Sequence, residues 1–185
     1  MIIRNGWLDE SATVRHCRSP NYNQRPLGEA GRVSLLVIHH ISLPPDQFGG
    51  EDIERFFCNE LDSDKHPFYQ QISDLKVSAH ALIKRNGAVV QFVNFNDRAW
   101  HAGQSNYQGR PDCNDFSIGI ELEGNGTTPY RYAQYQVLKQ LTKALINAYP
   151  DIAGHITGHE NIAPERKFDP GPTFDWERYL AFLSR

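Results

Sequence analysis

The sequence predicts an α+β fold in which one central mixed β-sheet is flanked by helices. Three observations carry that expectation. Residues 33–40, VSLLVIHH, form a short, β-rich and nearly all-apolar run, as expected of a strand covered on both faces. Residues 76–84 and 116–123 alternate apolar side chains with others, the period of two that sends successive side chains to opposite faces of a sheet. Farther on, Tyr135, Leu138, Leu141, Thr142, Leu145 and Tyr149 recur at helical spacing until Pro150 ends the pattern, which gives a long helix covering the core.

In chain order, residues 1–31 read as an irregular wrap. The strand at 33–40 ends on two histidines, after which Leu43-Pro44-Pro45 forces an extended loop, and residues 51–57 (EDIERFF) read as a short amphipathic helix. In 76–84 the residues Val77, Ala79, Ala81 and Ile83 share one face. Asn86-Gly87 is the dipeptide favoured in a type I′ hairpin turn leading into 88–93. In 116–123 the residues Ile118, Ile120 and Leu122 share one face and Gly119, Glu121 and Glu123 the other, with Glu123 read as a solvated strand end. Residues 153–159 read as a further strand, and a last helix is expected around Trp176, Tyr179, Leu180 and Leu183.

A length of 185 residues gives about one domain and is enough to build a core without disulfides or a structural metal. With 19 basic and 22 acidic side chains the net charge is −3, which argues against a surface dedicated to nucleic acid or an anionic membrane. Arg4, Asp9 and Glu10 interrupt any apolar leader, and the longest aliphatic run is only Leu35 to Ile38, so neither a signal peptide nor a membrane span is expected. Cys17, Cys58 and Cys113 are an odd set without a C-x-x-C pair and read as free thiols of a reducing compartment.

The segment GHENIAPERKFDPGP, residues 158–172, presents His, Glu, Arg, Lys and Asp on a loop stiffened by three prolines. Pro170 restricts the backbone of Asp169, which suits a fixed carboxylate ligand; a loop of this kind equally serves to cap helices and form surface ion pairs. His155 and His159 fall on one face of either a helix or a strand, but the neighbouring glycines disfavour a helix, and Pro164 removes the H-E-x-x-H reading of His159-Glu160. His39 and His40 are adjacent on a strand and point to opposite faces, so one at most turns toward a shared site. Glu121 lies mid-strand between Ile120 and Leu122; burial there would raise its pKa toward the range of a general base. The string RAWHAG reads as a loop that offers Trp100 as an aromatic platform with Arg98 and His101 as polar tips.

The strings LLVIHHISLPPDQFGG, VSAHALI, DRAWHAG, CNDFSIGIELEG and TGHENIAPERKFDPGP occur in this order. Through them the chain resembles, from about Gly6 to Trp176, the cytosolic AmpD-type N-acetyl-anhydromuramyl-L-alanine amidases of bacterial cell-wall recycling. The wider superfamily joins zinc amidases with peptidoglycan-recognition proteins. The resemblance implies a single amidase domain over residues 1–185, with a catalytic core at about 33–176, and one zinc ion per chain. It puts the zinc ligands at His39, His159 and Asp169, the general base at Glu121 and the transition-state-stabilising lysine at Lys167. Two imidazoles and one carboxylate leave a fourth position for water, as a catalytic zinc requires.

The implied reaction is hydrolysis of the amide between the lactyl group of 1,6-anhydro-N-acetylmuramic acid and the L-alanine of its stem peptide. Candidate substrate-binding residues are Phe68, Lys76 and Trp100. Phe68 follows His66-Pro67 where relatives usually carry tyrosine, and Tyr69 comes one residue late. Lys76 is the basic residue expected to meet the stem peptide's carboxylates, while Asp112 stands at another position that is often basic. His40 occupies a place where a smaller polar residue is expected, and Trp100 offers an apolar wall.

The resemblance further implies small soluble anhydro-muropeptides as partners, with no nucleic acid or membrane, a monomeric state, a cytoplasmic location and an influence on β-lactamase induction. Two other readings compete. A non-catalytic muropeptide-binding module would lack part of the ligand set, which is present here in full. A zinc peptidase for another amide differs only in its substrate.

Overall fold

In the computed structural model, which describes residues 1–183, six short segments pair into one sheet. They are β1 (Val14–His16), β2 (Leu35–Ile41), β3 (Ala81–Ile83), β4 (Val89–Gln91), β5 (Ser117–Glu123) and β6 (Ile156–Gly158). The spatial order is β6-β2-β5-β3-β4-β1, with every neighbouring pair parallel except the antiparallel β3–β4 hairpin. The sheet is therefore mixed, as the sequence predicts. Its central strands β2 and β5 are apolar enough to be covered from both sides, and Leu35, Leu36, Val37 and Ile38 are all fully buried.

The helices are α1 (Asp52–Phe57), α2 (Pro67–Ile72), α3 (Tyr132–Ala148), the single turn α4 (His159–Ile162) and α5 (Trp176–Leu183). One face of the sheet sends Leu36, Ile38, Ile118, Ile120 and Leu122 against the predicted stripe of α3, where Tyr135, Leu138, Leu141 and Leu145 are buried. Tyr179 of α5 closes this layer, its hydroxyl 2.7 Å from Thr142 Oγ1. The opposite face divides into two clusters, one with Phe56, Phe57 and Tyr69 beneath α1 and α2, the other with Leu35, Val37 and Ile162 beside α4. The site lies on this second face. Leu138 packs wholly on the first, so Leu138→Ala should lower stability by about 2–5 kcal/mol in a denaturant titration and leave the catalytic constants of the folded enzyme unchanged.

Several local expectations need correction. The 76–84 strand begins only at Ala81, and both of its faces are covered: Ala81 and Ile83 face α3, while Leu82 joins the opposite cluster. The turn after it is not type I′. Gly87 N–H donates to the Lys84 carbonyl and Lys84 N–H to Ala88, and only Gly87 has a positive φ, 87°. This is a three-residue loop with glycine in the left-handed position, and Asn86 instead uses its side chain to accept from Ala88 N–H.

The N-terminal wrap supplies the edge strand β1. Helix α2 adds an element that the sequence pattern does not predict, although His66 accepting from Phe68 N–H and Pro67 in the first turn form an ordinary helix start. Glu123 is buried rather than solvated: its carboxylate accepts the backbone N–H groups of Gly49 and Arg85 and ties the loop after β2 to the hairpin turn. Finally, the strand at 153–159 ends at Gly158, and His159 opens the turn α4.

Candidate metal centre and cleft

Parallel pairing of β2 with β5 sets His39 opposite Glu121 on adjacent strands, so both side chains emerge on the second face of the sheet. His40 takes the other face, where its ring meets Phe168 at 5.4 Å. His159 arrives from α4, immediately beyond the neighbouring strand β6, and Asp169 from the proline-stiffened loop that follows; the Asp169 carbonyl accepts from Glu160 N–H and holds loop and helix together. His155 lies elsewhere, beside Tyr107.

Three acceptor atoms converge. His39 Nδ1 and His159 Nδ1 are 3.0 Å apart, and they lie 3.0 and 3.1 Å from Asp169 Oδ2. All three residues are buried, at most 7% exposed. Burial pushes the His39 imidazole down to about 4 against the attraction of Asp169, so the ring is neutral at physiological pH. Burial alone would raise Asp169, but its two imidazole neighbours, His159 and His39, outweigh it and keep the carboxyl below its ordinary range, so it is ionised. His159 donates from Nε2–H to the Ala102 carbonyl at 3.0 Å, which leaves its Nδ1 lone pair facing the cluster. At most one N–H can therefore lie among three mutually close acceptors. A divalent cation resolves that repulsion, and the donor set, two imidazole nitrogens and a carboxylate oxygen, suits one.

Glu121 stands beside this cluster, 8% exposed, with Oε2 buried and without a hydrogen-bond partner among the described residues. Burial, reinforced by the Asp169 charge and only partly offset by Lys167, raises its pKa well above the ordinary glutamate range. The cluster floors a cleft of about 470 Å³ whose walls include Lys76, Trp100, His101, Arg166 and Lys167. Trp100 is anchored by its indole N–H, which donates to Asn23 Oδ1 at 2.6 Å. Phe68 lies apart from this cleft and lines an adjoining groove with His40, Phe56 and Phe168. A larger hollow of about 550 Å³, edged by Arg32, Tyr107 and Asp151, holds no comparable donor cluster among the described residues, and its Arg32 is ion-paired with Asp151.

The structure thus brings together His39, His159, Asp169, Glu121, Lys167, Lys76 and Trp100 from six segments of the chain. Reading the sequence missed the extent to which His101, Asn114 and Arg166 take part. Asn114 Oδ1 accepts the backbone N–H groups of both His101 and Ala102, at 3.0 and 2.8 Å, and Arg166 donates to the Ala102 carbonyl. The RAWHAG string was the visible signal, but nothing in its spacing gave His101 a partner.

Three convergent donors beside a buried carboxylate, on the inner strands of a mixed sheet, are a set that could hold a metal ion for hydrolytic chemistry. The chain belongs to the N-acetylmuramoyl-L-alanine amidase family, Amidase_2, whose family model matches residues 29–172. It is 55% identical over 184 residues to the 1,6-anhydro-N-acetylmuramyl-L-alanine amidase AmpD of Enterobacter cloacae, spanning 100% of this chain and 96% of that protein. Among solved structures, a selenomethionine AmpD derivative superposes with a TM-score of 0.93 at 55% identity, covering 98% of this chain and 99% of the other. The Escherichia coli amidase AmiD, in complex with anhydro-N-acetylmuramic acid-L-Ala-D-γ-Glu-L-Lys, superposes with a TM-score of 0.61 at 29% identity, covering 88% of this chain and 66% of that one.

Proposed function

We propose that this protein hydrolyses the amide joining the lactyl group of 1,6-anhydro-N-acetylmuramic acid to the L-alanine of its stem peptide, using one zinc ion held by His39 Nδ1, His159 Nδ1 and Asp169 Oδ2. The observation that carries this reading is the convergence of those three acceptors next to a buried carboxylate whose Oε2 has no hydrogen-bond partner among the described residues. Its setting is a chain 55% identical over its whole length to an amidase of that name. Zinc, when bound, supplies a Lewis acid and brings the pKa of water to about 7.

The protein's own groups do the rest. Glu121 takes a proton from the attacking water and passes it to the leaving amine of L-alanine, a role for which its raised pKa suits it. Lys167 holds its ammonium toward the cleft from the loop that carries Asp169, so one stiff segment aims both a ligand and a positive charge at the carbonyl oxygen as it becomes negative. Lys76 meets a stem-peptide carboxylate, Trp100 walls the substrate, and Phe68 contacts its outer part from the adjoining groove. The intact donor set and Glu121 favour cleavage over binding alone.

Zinc-restored, chelator-stripped protein should release an intact L-alanine-headed tripeptide from anhydro-muramyl tripeptide, identified by mass spectrometry. Binding without cleavage would overturn the reading in favour of a recognition module. Lys167→Met should lower kcat roughly 10²- to 10³-fold with KM little changed, because the charge acts on the transition state; an unchanged kcat would remove Lys167 from the role. No helix among the described residues is long and apolar enough to cross a membrane. We take the protein to be a cytoplasmic monomer acting on soluble muropeptides in cell-wall recycling, for which size-exclusion chromatography and cell fractionation are the direct checks. An accompanying influence on β-lactamase induction would appear as raised induction in cells that carry an inactive variant.

A further inference from the structure

We infer that His101 is a positioning residue for the metal centre: with Ser117 it fixes the tautomer and ring orientation of His39. A chain of hydrogen bonds runs from a backbone carbonyl to His39, one proton at a time, and this inference rests on the metal site proposed above.

Ser117 Oγ lies 2.5 Å from the Cys113 carbonyl, which can only accept, so the single hydroxyl proton is committed there. The same oxygen is 3.1 Å from His101 Nε2. Having no second proton to give, it accepts, and His101 carries its proton on Nε2. A neutral His101 then has a lone pair on Nδ1, which is 2.9 Å from His39 Nε2. His39 must supply the proton of that bond, so its own lone pair lies on Nδ1, the atom aimed at His159 and Asp169. Each step leaves the next nitrogen one choice. All three atoms of the proposed site are thereby acceptors before any metal arrives.

Geometry around His101 supports a fixed ring. A Cβ on Gly119 would stand 2.4 Å from the His101 ring, so glycine on β5 makes the space in which the imidazole lies against the sheet. The Asn114 carboxamide accepts the His101 and Ala102 N–H groups, and the Ala102 carbonyl takes the Nε2–H of the second imidazole, His159. Two consecutive residues of one loop therefore hold the outer nitrogens of both histidine ligands. Such partners orient a ligand and strengthen its basicity, and their loss typically weakens metal binding roughly 10- to 100-fold.

The test uses full-length protein, chelator-stripped, with zinc affinity measured by competition against a chromophoric chelator. His101→Leu keeps bulk but offers no acceptor to the buried His39 Nε2–H, and zinc should bind roughly 10- to 100-fold more weakly. His101→Asn puts an amide oxygen close to the position of Nδ1 and should recover most of that loss, which a purely space-filling role would not allow. Long-range nitrogen NMR should show His39 as the Nε2–H tautomer in the metal-free parent and as a mixture in His101→Leu. If His101→Leu fails to fold, Ser117→Ala, which retains both rings, should weaken zinc several-fold and mix the His101 tautomers. Equal zinc affinity in parent and folded His101→Leu, equal losses in the Leu and Asn variants, or, where only Ser117→Ala folds, unchanged affinity in that variant would overturn the role of His101 while leaving the metal site standing. A parent protein that does not bind zinc would overturn the site itself and this inference with it.

Discussion

Glu121→Gln is expected to keep its zinc and lose about 10²- to 10⁴-fold in kcat, the span that a positioned general base contributes. The substitution is nearly isosteric, and Glu121 is not among the three convergent donor atoms, so metal content after gel filtration should equal that of the parent. On the proposed assignment, activity in the parent requires the ionised carboxylate. Burial and the charge of Asp169 raise its pKa in the metal-free protein, and a bound dication acts in the opposite direction; wherever the acid limb of kcat against pH falls in the loaded parent, it should vanish from the residual activity of the variant. Full turnover in a purified, zinc-replete Glu121→Gln protein would remove the base assignment.

The same shift has a sign for stability. Because the folded-state pKa is raised, ionised Glu121 opposes folding at every pH above its unfolded value of about 4.3. Metal-free Glu121→Gln should therefore melt higher than the metal-free parent at pH 7–8. The difference should shrink toward zero below about pH 4, where the parent carboxyl is protonated in both states.

Asp169→Ala should fail earlier, at the metal. Its carboxylate is the one formal negative charge among the three donors and is held ionised in the cluster, so removing it leaves two neutral imidazoles to bind a dication. Zinc affinity should fall by more than the 10- to 100-fold typical of losing an outer partner, and turnover should fall with it. Metal analysis after dialysis against a chelator, beside Glu121→Gln treated identically, separates the two residues: one variant retains zinc and is slow, the other is slow because it is empty. Stoichiometric zinc in dialysed Asp169→Ala would take Asp169 out of the ligand set. The helix-packed core lies on the opposite face of the sheet from the cluster, so the variant should remain folded.

Much of this architecture was legible before any coordinates. The apolar run at β2, the alternation at β5 and the α3 stripe gave the sheet and its cover, because each repeats a local period that burial enforces over several residues. What failed was local and short. The Asn86-Gly87 dipeptide favours two-residue turns, but the register Ile83 to Val89 leaves room for a longer loop, and the strand pairing decided. Glu123 looked solvated because alternation says which face a side chain takes and nothing of what covers that face; the Gly49 and Arg85 backbone N–H groups that bury it come from distant loops. The glycines around His155 and His159 argued rightly against a helix joining the two, since a strand lies between them; only its end was misplaced, because His159 already opens a turn whose Glu160 N–H the Asp169 carbonyl accepts.

The sequence by itself determined that a central mixed sheet forms, that Glu121 sits mid-strand, that His39 and His40 face opposite ways, and that Lys167 and Asp169 share one stiff loop. These follow from backbone periodicity and proline chemistry, which act between near neighbours. The resemblance already named His39 and His159; only the tertiary structure decided that Glu121 is buried without a hydrogen-bond partner for its Oε2 among the described residues and that His101 closes a chain of hydrogen bonds from the Cys113 carbonyl to His39. The reason is physical: a cluster of side-chain atoms at 3.0–3.1 Å joins residues as much as 130 positions apart. Proton placement along it depends on distance and burial, and neither is written in the spacing of residues along the chain.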